Sequence, residues 1–336
     1  MRKVSSASKN ADRVFRLATG VAASSPVLFL VVIAVIVLIQ SIPSMRFNGW
    51  HFLIGIQWNM GNLYGALQTK NGVTAAAGAS YGALPFIVGT LASSLIAIVI
   101  AIPVSMFTAV VLAYRVRGVV QWILSVLVEL LAGIPSVVIG LWGIVTLAPW
   151  VRTNLAVWLT HLGPVVPYLR GPVGTGLGLL TSGLVLAIMI VPIITATTRD
   201  LLMQVPILYR EAGTGLGMTS WEVVRYICIP FIRDGFVGAV ALGWGRAMGE
   251  TMAVLMVSGS AMNLLPQNLY SPISSMAAVI ADQLDSALTD ASQMAVHALS
   301  ELALVLMILT LLTNFLARWL VTRTRSRRRM KVGVTV

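Results

Sequence analysis

Long runs of apolar residues, separated by short polar stretches, dominate this sequence. A helix needs about 20 consecutive apolar residues to cross the hydrocarbon core of a membrane. Six runs meet this requirement, with approximate bounds 21–42, 84–113, 119–148, 177–198, 235–259 and 297–320. The pattern therefore predicts an all-α polytopic membrane protein with six transmembrane helices.

Composition agrees with this class and excludes two others. Of the 336 residues, 57% are hydrophobic and only 10% are charged, whereas a soluble domain carries about 25% charged residues. Disorder requires low hydrophobicity and is also excluded. The net charge of +12 is bunched at the chain ends and in short loops, so we expect membrane lipid rather than nucleic acid as its partner.

The distribution of basic residues predicts the orientation. With the N-terminus inside, 18 of the 23 Lys and Arg residues fall in cytoplasmic segments, four fall outside, and Arg246 lies within a span. Cytoplasmic loops carry such an excess, so both termini are predicted in the cytoplasm of a cell (inner) membrane protein. The expected organisation is a cytoplasmic segment 1–20, one transmembrane domain 21–320 and a basic cytoplasmic tail 321–336 next to anionic lipid.

The first apolar run has an alternative interpretation as a signal peptide, because basic residues precede it. No small-x-small cleavage site follows the run, which continues as Gln-Ser-Ile-Pro at 40–43. We therefore interpret it as a retained span.

The loop 199–233, between the fourth and fifth spans, predicts two short helices. Pro206 suits the first turn of one helix. Thr219 and Glu222 form a Thr-x-x-Glu capping box for the second helix, which Pro230 is expected to end. Three small residues would let the surface of another protein approach closely: Ala212, Gly213 and Gly217.

The fifth span contains a charged pair. An arginine at mid-membrane costs at least about 2.5–3.5 kcal/mol, so Arg246 should face the protein interior or a water-filled path. Glu250 is predicted one turn away on the same helix face, beside a Gly-xxx-Gly pair at 245 and 249 that favours close helix packing. Because a guanidinium matches a tetrahedral oxyanion, our hypothesis is an anion path through Arg246 with Glu250 as its internal counter-ion. The alternative is a structural neutralising pair between helices.

Two other sets of ionisable residues lie in the predicted spans. Glu129 lies in the third span ahead of Pro135, which is predicted to kink the helix. This region could be a gate hinge, or Glu129 could belong to the substrate path as a partner of Arg246. Alternatively, Pro135 is a structural kink and Glu129 a snorkelling acid near the cytoplasmic end. His297 and Glu301, four residues apart at the start of the sixth span, are interpreted as an interface pair.

The chain has no recognisable ATP or metal site of its own. A Walker A loop ends in Gly-Lys-Ser/Thr, and none of the four lysines follows a glycine. The single cysteine and three widely spaced histidines share no ligand spacing, so neither a metal nor a cofactor is predicted. The chain is thus expected not to be an enzyme, and ATP-driven transport would need a separate ATPase subunit.

The loop carries a resemblance to a known family. Glu-Ala-Gly at 211–213 is followed, at three- and nine-residue intervals, by Gly217 and by Ile-Cys-Ile-Pro at 227–230. This resembles the EAA motif of ABC importer permeases, departing from it only at Gly213 and Ile229. The resemblance implies that this loop docks into an ATPase subunit through Glu211, Ala212, Gly213, Gly217, Ile227 and Pro230.

The whole chain resembles the phosphate-specific permeases of that family. The resemblance rests on residues 129–136 with 140–143, on the loop, and on 245–254, which favours the PstC type over PstA. It implies the six-span type I importer (MetI-like) fold and a substrate path containing Arg246 and Glu250. The implied partners are a second, PstA-like permease, two PstB-like ATP-binding subunits, an extracytoplasmic phosphate-binding protein and phosphate.

Three alternatives remain at this stage. The substrate could be another tetrahedral oxyanion, sulfate or molybdate. The chain could be an intramembrane enzyme that uses Arg246 and Glu250 on a lipid phosphate, although no nucleophile and base support this. It could also be a secondary transporter or channel that needs no ATPase.

Overall fold

The computed structural model describes residues 6–332, with side chains described for 12–13, 15–62 and 65–319. The basic tail predicted at 321–336 and the first residues of the segment 1–20 have side chains outside this description. The helices in chain order are α1 Ser6–Asn48, α2 His51–Ile54, α3 Leu84–Arg115, α4 Gly118–Ala132, α5 Ser136–Thr160, α6 Leu179–Met203, α7 Ile207–Gly215, α8 Ser220–Met248, α9 Met252–Val257, α10 Met276–Leu288 and α11 Met294–Val332.

Six of these helices are long and apolar enough to cross a membrane within the described residues: α1, α3, α5, α6, α8 and α11. This number matches the prediction. The helix α6 is the centre of the bundle, since 72% of its most apolar window is buried. It packs against α3, α4 and α8, and Gly243 of α8 lets the Ile194 side chain approach to 2.7 Å from where a Cβ would stand.

The third span differs from the prediction. The apolar run 119–148 is not one helix but α4 followed by the start of α5, with a break at 133–135. Pro135 has φ −57° and ψ 133°, which places it just before α5 rather than inside a kinked helix. The residue that precedes a proline is disfavoured in helical geometry, so the chain turns here, and the spanning helix begins at Ser136.

The fifth span also differs, because Pro230 does not end a helix. The second loop helix and the span form the single helix α8, which ends at Met248 instead of reaching 259. The segment Val224–Cys228 is a π-helical turn in which the Ile229 N–H donates to the Val224 carbonyl. Proline has no N–H to donate, and the wider turn before it gives the ring room within a continuous helix.

The first helix is held at the edge of the bundle by polar contacts with α11. The Ser44 hydroxyl donates to the buried Glu301 carboxylate at 2.5 Å, and Nδ1 of His297 lies 2.7 Å from the Gln40 carbonyl oxygen. The pairing predicted between His297 and Glu301 is therefore wrong. Both side chains face α1, which supplies a separate partner for each.

The segment between α2 and α3 forms two small antiparallel strand pairs that periodicity did not predict. One joins β1 (Trp58–Asn59) to β4 (Ser80–Tyr81), and the other joins β2 (Asn62–Lys70) to β3 (Val73–Ala77). Asn71 and Gly72, both at positive φ, make the turn of the second pair. In the first pair, the Trp58 ring packs edge-on against Tyr81 at 5.1 Å.

Candidate substrate path and coupling loop

Arg246 lies in the last turns of α8, on a face that this chain leaves exposed. It lines a cavity of about 500 Å³ together with Ile193, Thr310 and Asn314. Ile193 lies near the middle of α6, so the cavity is at mid-depth in the bundle. Among the described side chains, Arg246 has no ion-pair partner within 4 Å.

The sequence predicted Glu250 one helical turn beyond Arg246 on the same helix, and this prediction is wrong. The helix α8 ends at Met248, and Glu250 lies half-buried in the break before α9. Glycine is a poor helix former. The Gly249 N–H still lies 3.3 Å from the Gly245 carbonyl oxygen, four residues back, but the Glu250 N–H lies 3.4 Å from the Ala247 carbonyl oxygen, only three residues back. Because the helical spacing is lost there, the two charges do not form the predicted pair within this chain.

Two polar residues of the cavity, Thr310 and Asn314 on α11, were missed by the sequence analysis. The signal was present, because an amide inside an apolar span is rare and often functional. Asn314 lies next to Gly245, and its Nδ2 is 3.6 Å from the position of a Cβ on that glycine. The Thr310 hydroxyl donates to carbonyls of its own helix, at Leu306 and Met307, so only its lone pairs remain for a ligand.

The Arg246 cavity adjoins a second one of about 790 Å³, and the two share Ala241, Leu242 and Asn314. The second cavity follows the groove between α8 and α11 as far as Asp234 and Arg318. Together they make a continuous groove from mid-membrane to the end of the bundle that carries the α6–α8 loop.

Glu129 is a partner of Arg199 and not of Arg246. Its Oε1 lies 3.1 Å from Nη2 of Arg199, and the same nitrogen lies 2.7 Å from Oδ1 of Asp200. The Arg199 side chain is only 12% exposed, whereas that of Glu129 is 56% exposed. The contact joins α4 to the end of α6, away from the candidate substrate path.

The coupling loop is a helical hairpin made of α7 and the first turns of α8. Pro206 precedes α7 as its cap residue. The predicted capping box is confirmed: the Glu222 N–H donates to the Thr219 hydroxyl at 3.3 Å, and the Thr219 N–H donates to the Glu222 carboxylate at 2.7 Å. Pro230 lies on the continuous helix beyond the π turn.

Gly213 has a different role from the one predicted. It is buried inside the hairpin, where a Cβ would lie 2.6 Å from Cδ1 of Ile227 and 3.1 Å from Val223. Gly213 and Ile227 therefore close the hairpin on itself instead of both facing another protein. The small residue is needed because the two arms of the hairpin approach closely here.

The outer side of the hairpin is open. Glu211, Ala212 and Gly217 are exposed. Gly217 has φ +84°, and no atom lies within 4 Å of the position that a Cβ would take there. Leu216, which the sequence analysis did not single out, is 85% exposed at the tip. No group of three His, Cys, Asp or Glu side chains suited to a metal ion occurs in the described part of the chain.

Residues 101–326 match the protein family described as binding-protein-dependent transport system inner membrane component. The chain belongs to this family. Its membership, together with the six spanning helices, confirms the predicted ABC importer permease fold and a permease component that is not itself the ATPase. As an inner membrane component of a binding-protein-dependent system, this permease works with a binding protein and an ATPase.

Relatives place this permease among the PstC permeases, as the resemblance implied. It is 49% identical over 317 residues to phosphate transport system permease protein PstC 1 of Mycobacterium tuberculosis, covering 94% of each chain. It is 35% identical over 315 residues to PstC of Haemophilus influenzae, covering 93% of each. A solved chain of the inward-facing MetNI methionine ABC transporter aligns with a TM-score of 0.47 and 18% identity, covering 71% of this chain and 92% of that one.

Proposed function

We propose that this permease forms one half of the translocation path of an ATP-driven phosphate importer. The other half is a second, PstA-like permease, two PstB-like subunits supply ATP hydrolysis, and an extracytoplasmic protein delivers phosphate. The observation that carries the proposal is Arg246, which is exposed at mid-depth and has no ion pair within the described chain. A charge at this depth is costly unless it is compensated, so its counter-charge comes from a second subunit or a passing anion.

The cavity chemistry favours an oxyanion. The planar fork of a guanidinium donates two parallel hydrogen bonds to a tetrahedral oxyanion. Asn314, on the same cavity, offers an amide donor and a carbonyl acceptor. Monohydrogen phosphate needs an acceptor for its own proton, whereas sulfate and molybdate dianions carry none. The combination supports phosphate over the other two anions.

The proposed orientation puts both termini and the coupling hairpin in the cytoplasm. It is supported by the 18 of 23 basic residues on that side and by the exposed hairpin tip, which suits a cytoplasmic ATPase. Glu211, Ala212 and Gly217 supply the outward docking surface in this proposal. Gly213, Ile227 and Pro230 shape the hairpin that presents it.

The test is phosphate uptake by the complete complex in proteoliposomes. Arg246→Ala should lower uptake about tenfold or more, because a hydrogen bond to a charged group is worth about 1.5–3 kcal/mol. Arg246→Lys should restore little, since lysine lacks the planar fork, and Glu250→Gln should also reduce uptake. The matched control is Arg152→Ala, because Arg152 is exposed and lies at the end of the spans opposite the coupling hairpin.

Three results would contradict the proposal. Near-normal uptake by Arg246→Met in a fully assembled complex would show that the guanidinium is not in the path. Equal inhibition of uptake by excess sulfate, molybdate and phosphate would favour a general oxyanion permease. Transport by the isolated chain without ATP would instead support a secondary transporter.

A further inference from the structure

Another cavity, separate from the two that form the candidate substrate path, lies where α3 ends and the coupling hairpin begins. Its volume is about 410 Å³, and three arginines line it: Arg115, Arg117 and Arg210. None of them lies within 4 Å of a carboxylate among the described side chains. Glu211 lines the same cavity, so three positive charges face one negative charge in a concave site.

Aromatic side chains hold this cavity in shape. The Arg210 guanidinium lies 4.4 Å from the centre of the Tyr114 ring, a cation–π contact. The Tyr114 hydroxyl donates to the Leu202 carbonyl at 2.7 Å, which anchors that ring to the end of α6. On the other wall, the Trp221 ring lies nearly parallel to Phe107 at 6.4 Å. The guanidinium of Arg210 is therefore positioned before any ligand binds.

The position of the cavity suits a charged group at a membrane boundary. Arg115 is the last residue of the spanning helix α3, and the indole of Trp221 is 47% exposed beside it. Tryptophan prefers the interface between hydrocarbon and water, and basic cavities beside spanning helices bind phosphate head groups. Several guanidinium forks around one cavity match the tetrahedral geometry of a phosphate.

We propose that the cavity formed by Arg115, Arg117 and Arg210 binds a phosphate group, carried by an anionic phospholipid or by free phosphate. Arg210 belongs to the coupling helix α7, whereas Arg115 and Arg117 belong to the end of α3 and the turn after it. A phosphate bound by all three would bridge the hairpin to the bundle. Occupancy of the site would then restrain the hairpin that contacts the ATPase.

The test compares two probes on the complete complex in nanodiscs of neutral phosphatidylcholine. One arm adds phosphatidylglycerol and counts retained lipid by native mass spectrometry. The other arm adds radiolabelled inorganic phosphate, measured by filtration without the binding protein. The second arm uses Arg246→Ala in every sample, so that phosphate in the substrate path does not contribute. Failure of the transport proposal therefore leaves this test intact.

The decisive variant is Arg115→Gln with Arg117→Gln, and its matched control is Arg46→Gln with Arg152→Gln at the opposite end of the spans. We expect at least one probe to bind the native protein, and to bind the cavity variant at least about tenfold more weakly. The control should bind normally. The responding arm identifies the source of the phosphate. If the double variant does not assemble, Arg117→Gln alone should show a partial loss.

Three outcomes would overturn the proposal. The first is that neither probe binds the native protein. The second is that the cavity variant and the control variant bind the probes equally well. The third is a cavity variant that loses the ATPase during purification while probe binding is unchanged. That result would mean that the arginines contact acidic residues of the ATPase instead of a phosphate group.

Discussion

At the scale of single residues, burial decides how much the charges contribute to stability. Arg199 is almost enclosed and contacts both Glu129 and Asp200, while the two carboxylates are more than half exposed. Removing an exposed carboxylate from an ion pair changes the free energy of unfolding little, because water solvates that charge in any case. A largely buried guanidinium depends on its partners, because removing them leaves a charge with weakened solvation. The three residues should therefore respond unequally to substitution.

We predict that Glu129→Gln lowers the free energy of unfolding by no more than about 1 kcal/mol, because Asp200 still pairs with Arg199. Arg199→Gln should be clearly more destabilising, since it removes both contacts and the packing of a buried side chain. Thermal unfolding of the purified complex measures both effects. Asp285→Asn, an exposed acid on α10, is the control, and the reverse order of the two variants would contradict the prediction.

Asn314 is the residue-scale prediction for the substrate path. Asn314→Leu should reduce phosphate uptake about tenfold, because it removes a hydrogen-bond donor and an acceptor, and a hydrogen bond to a charged group is worth about 1.5–3 kcal/mol. In the same variant, excess sulfate and excess phosphate should inhibit uptake to more similar extents than they do in the native protein. Leu312→Ala, two residues away on the same helix, controls for assembly. Unchanged uptake and selectivity in Asn314→Leu would remove this residue from the path.

At the scale of elements, the coupling hairpin separates two kinds of glycine. Gly213 is enclosed by its own hairpin, whereas Gly217 stands in open space at positive φ. A larger side chain at position 213 would clash with the hairpin itself. A larger side chain at position 217 would clash only with a protein that docks there. The sequence predicted both glycines on the docking surface, and only the packing of α7 on α8 distinguishes them.

Gly217→Trp should therefore leave the permease folded but reduce the amount of ATPase that co-purifies with it. Gly217→Ala is the matched control, since it carries the same strain of positive φ, about 1–2 kcal/mol, without the bulk. Quantitative pull-down, with thermal unfolding alongside, measures both variants. If Gly217→Trp and Gly217→Ala retain equal amounts of ATPase, the tip of the hairpin is not the docking surface.

At the scale of the whole molecule, the bundle has a centre and an edge. The helix α6 is enclosed by its neighbours, whereas the most apolar stretch of α1 is 0% buried. The helix α1 contacts the rest of the bundle mainly through α11. The strand pairs after α2 and the coupling hairpin lie at opposite ends of the spans. These two ends are the surfaces that the proposed orientation assigns to the binding protein and the ATPase.

The orientation predicts opposite labelling of two engineered cysteines in intact cells. Cys228, the only native cysteine, is 0% exposed, so it should remain silent toward a membrane-impermeant thiol reagent. Gln68→Cys, on the exposed strand β2, should react from outside, and Leu216→Cys should react only after the membrane is opened. The opposite pattern would reverse the proposed topology.

The sequence by itself determined the class of protein, the number of spans and the family. These follow from the length of apolar runs and from motif spacing, which are linear properties of the chain. The capping box at Thr219 and Glu222 was also predictable, because its two hydrogen bonds join residues only three positions apart. The six-span permease was thus largely specified before any tertiary contact was known.

Only the tertiary structure decided which groups meet and where the apolar runs break. Pro135 and Gly249 interrupt runs that hydropathy alone makes continuous, while Pro230 is absorbed by a π turn and interrupts nothing. Glu129 pairs with Arg199 at a separation of 70 residues, and Asn314 joins Arg246 from a different helix. Hydropathy is additive along the chain, whereas partner choice depends on distances between distant segments, which packing alone sets.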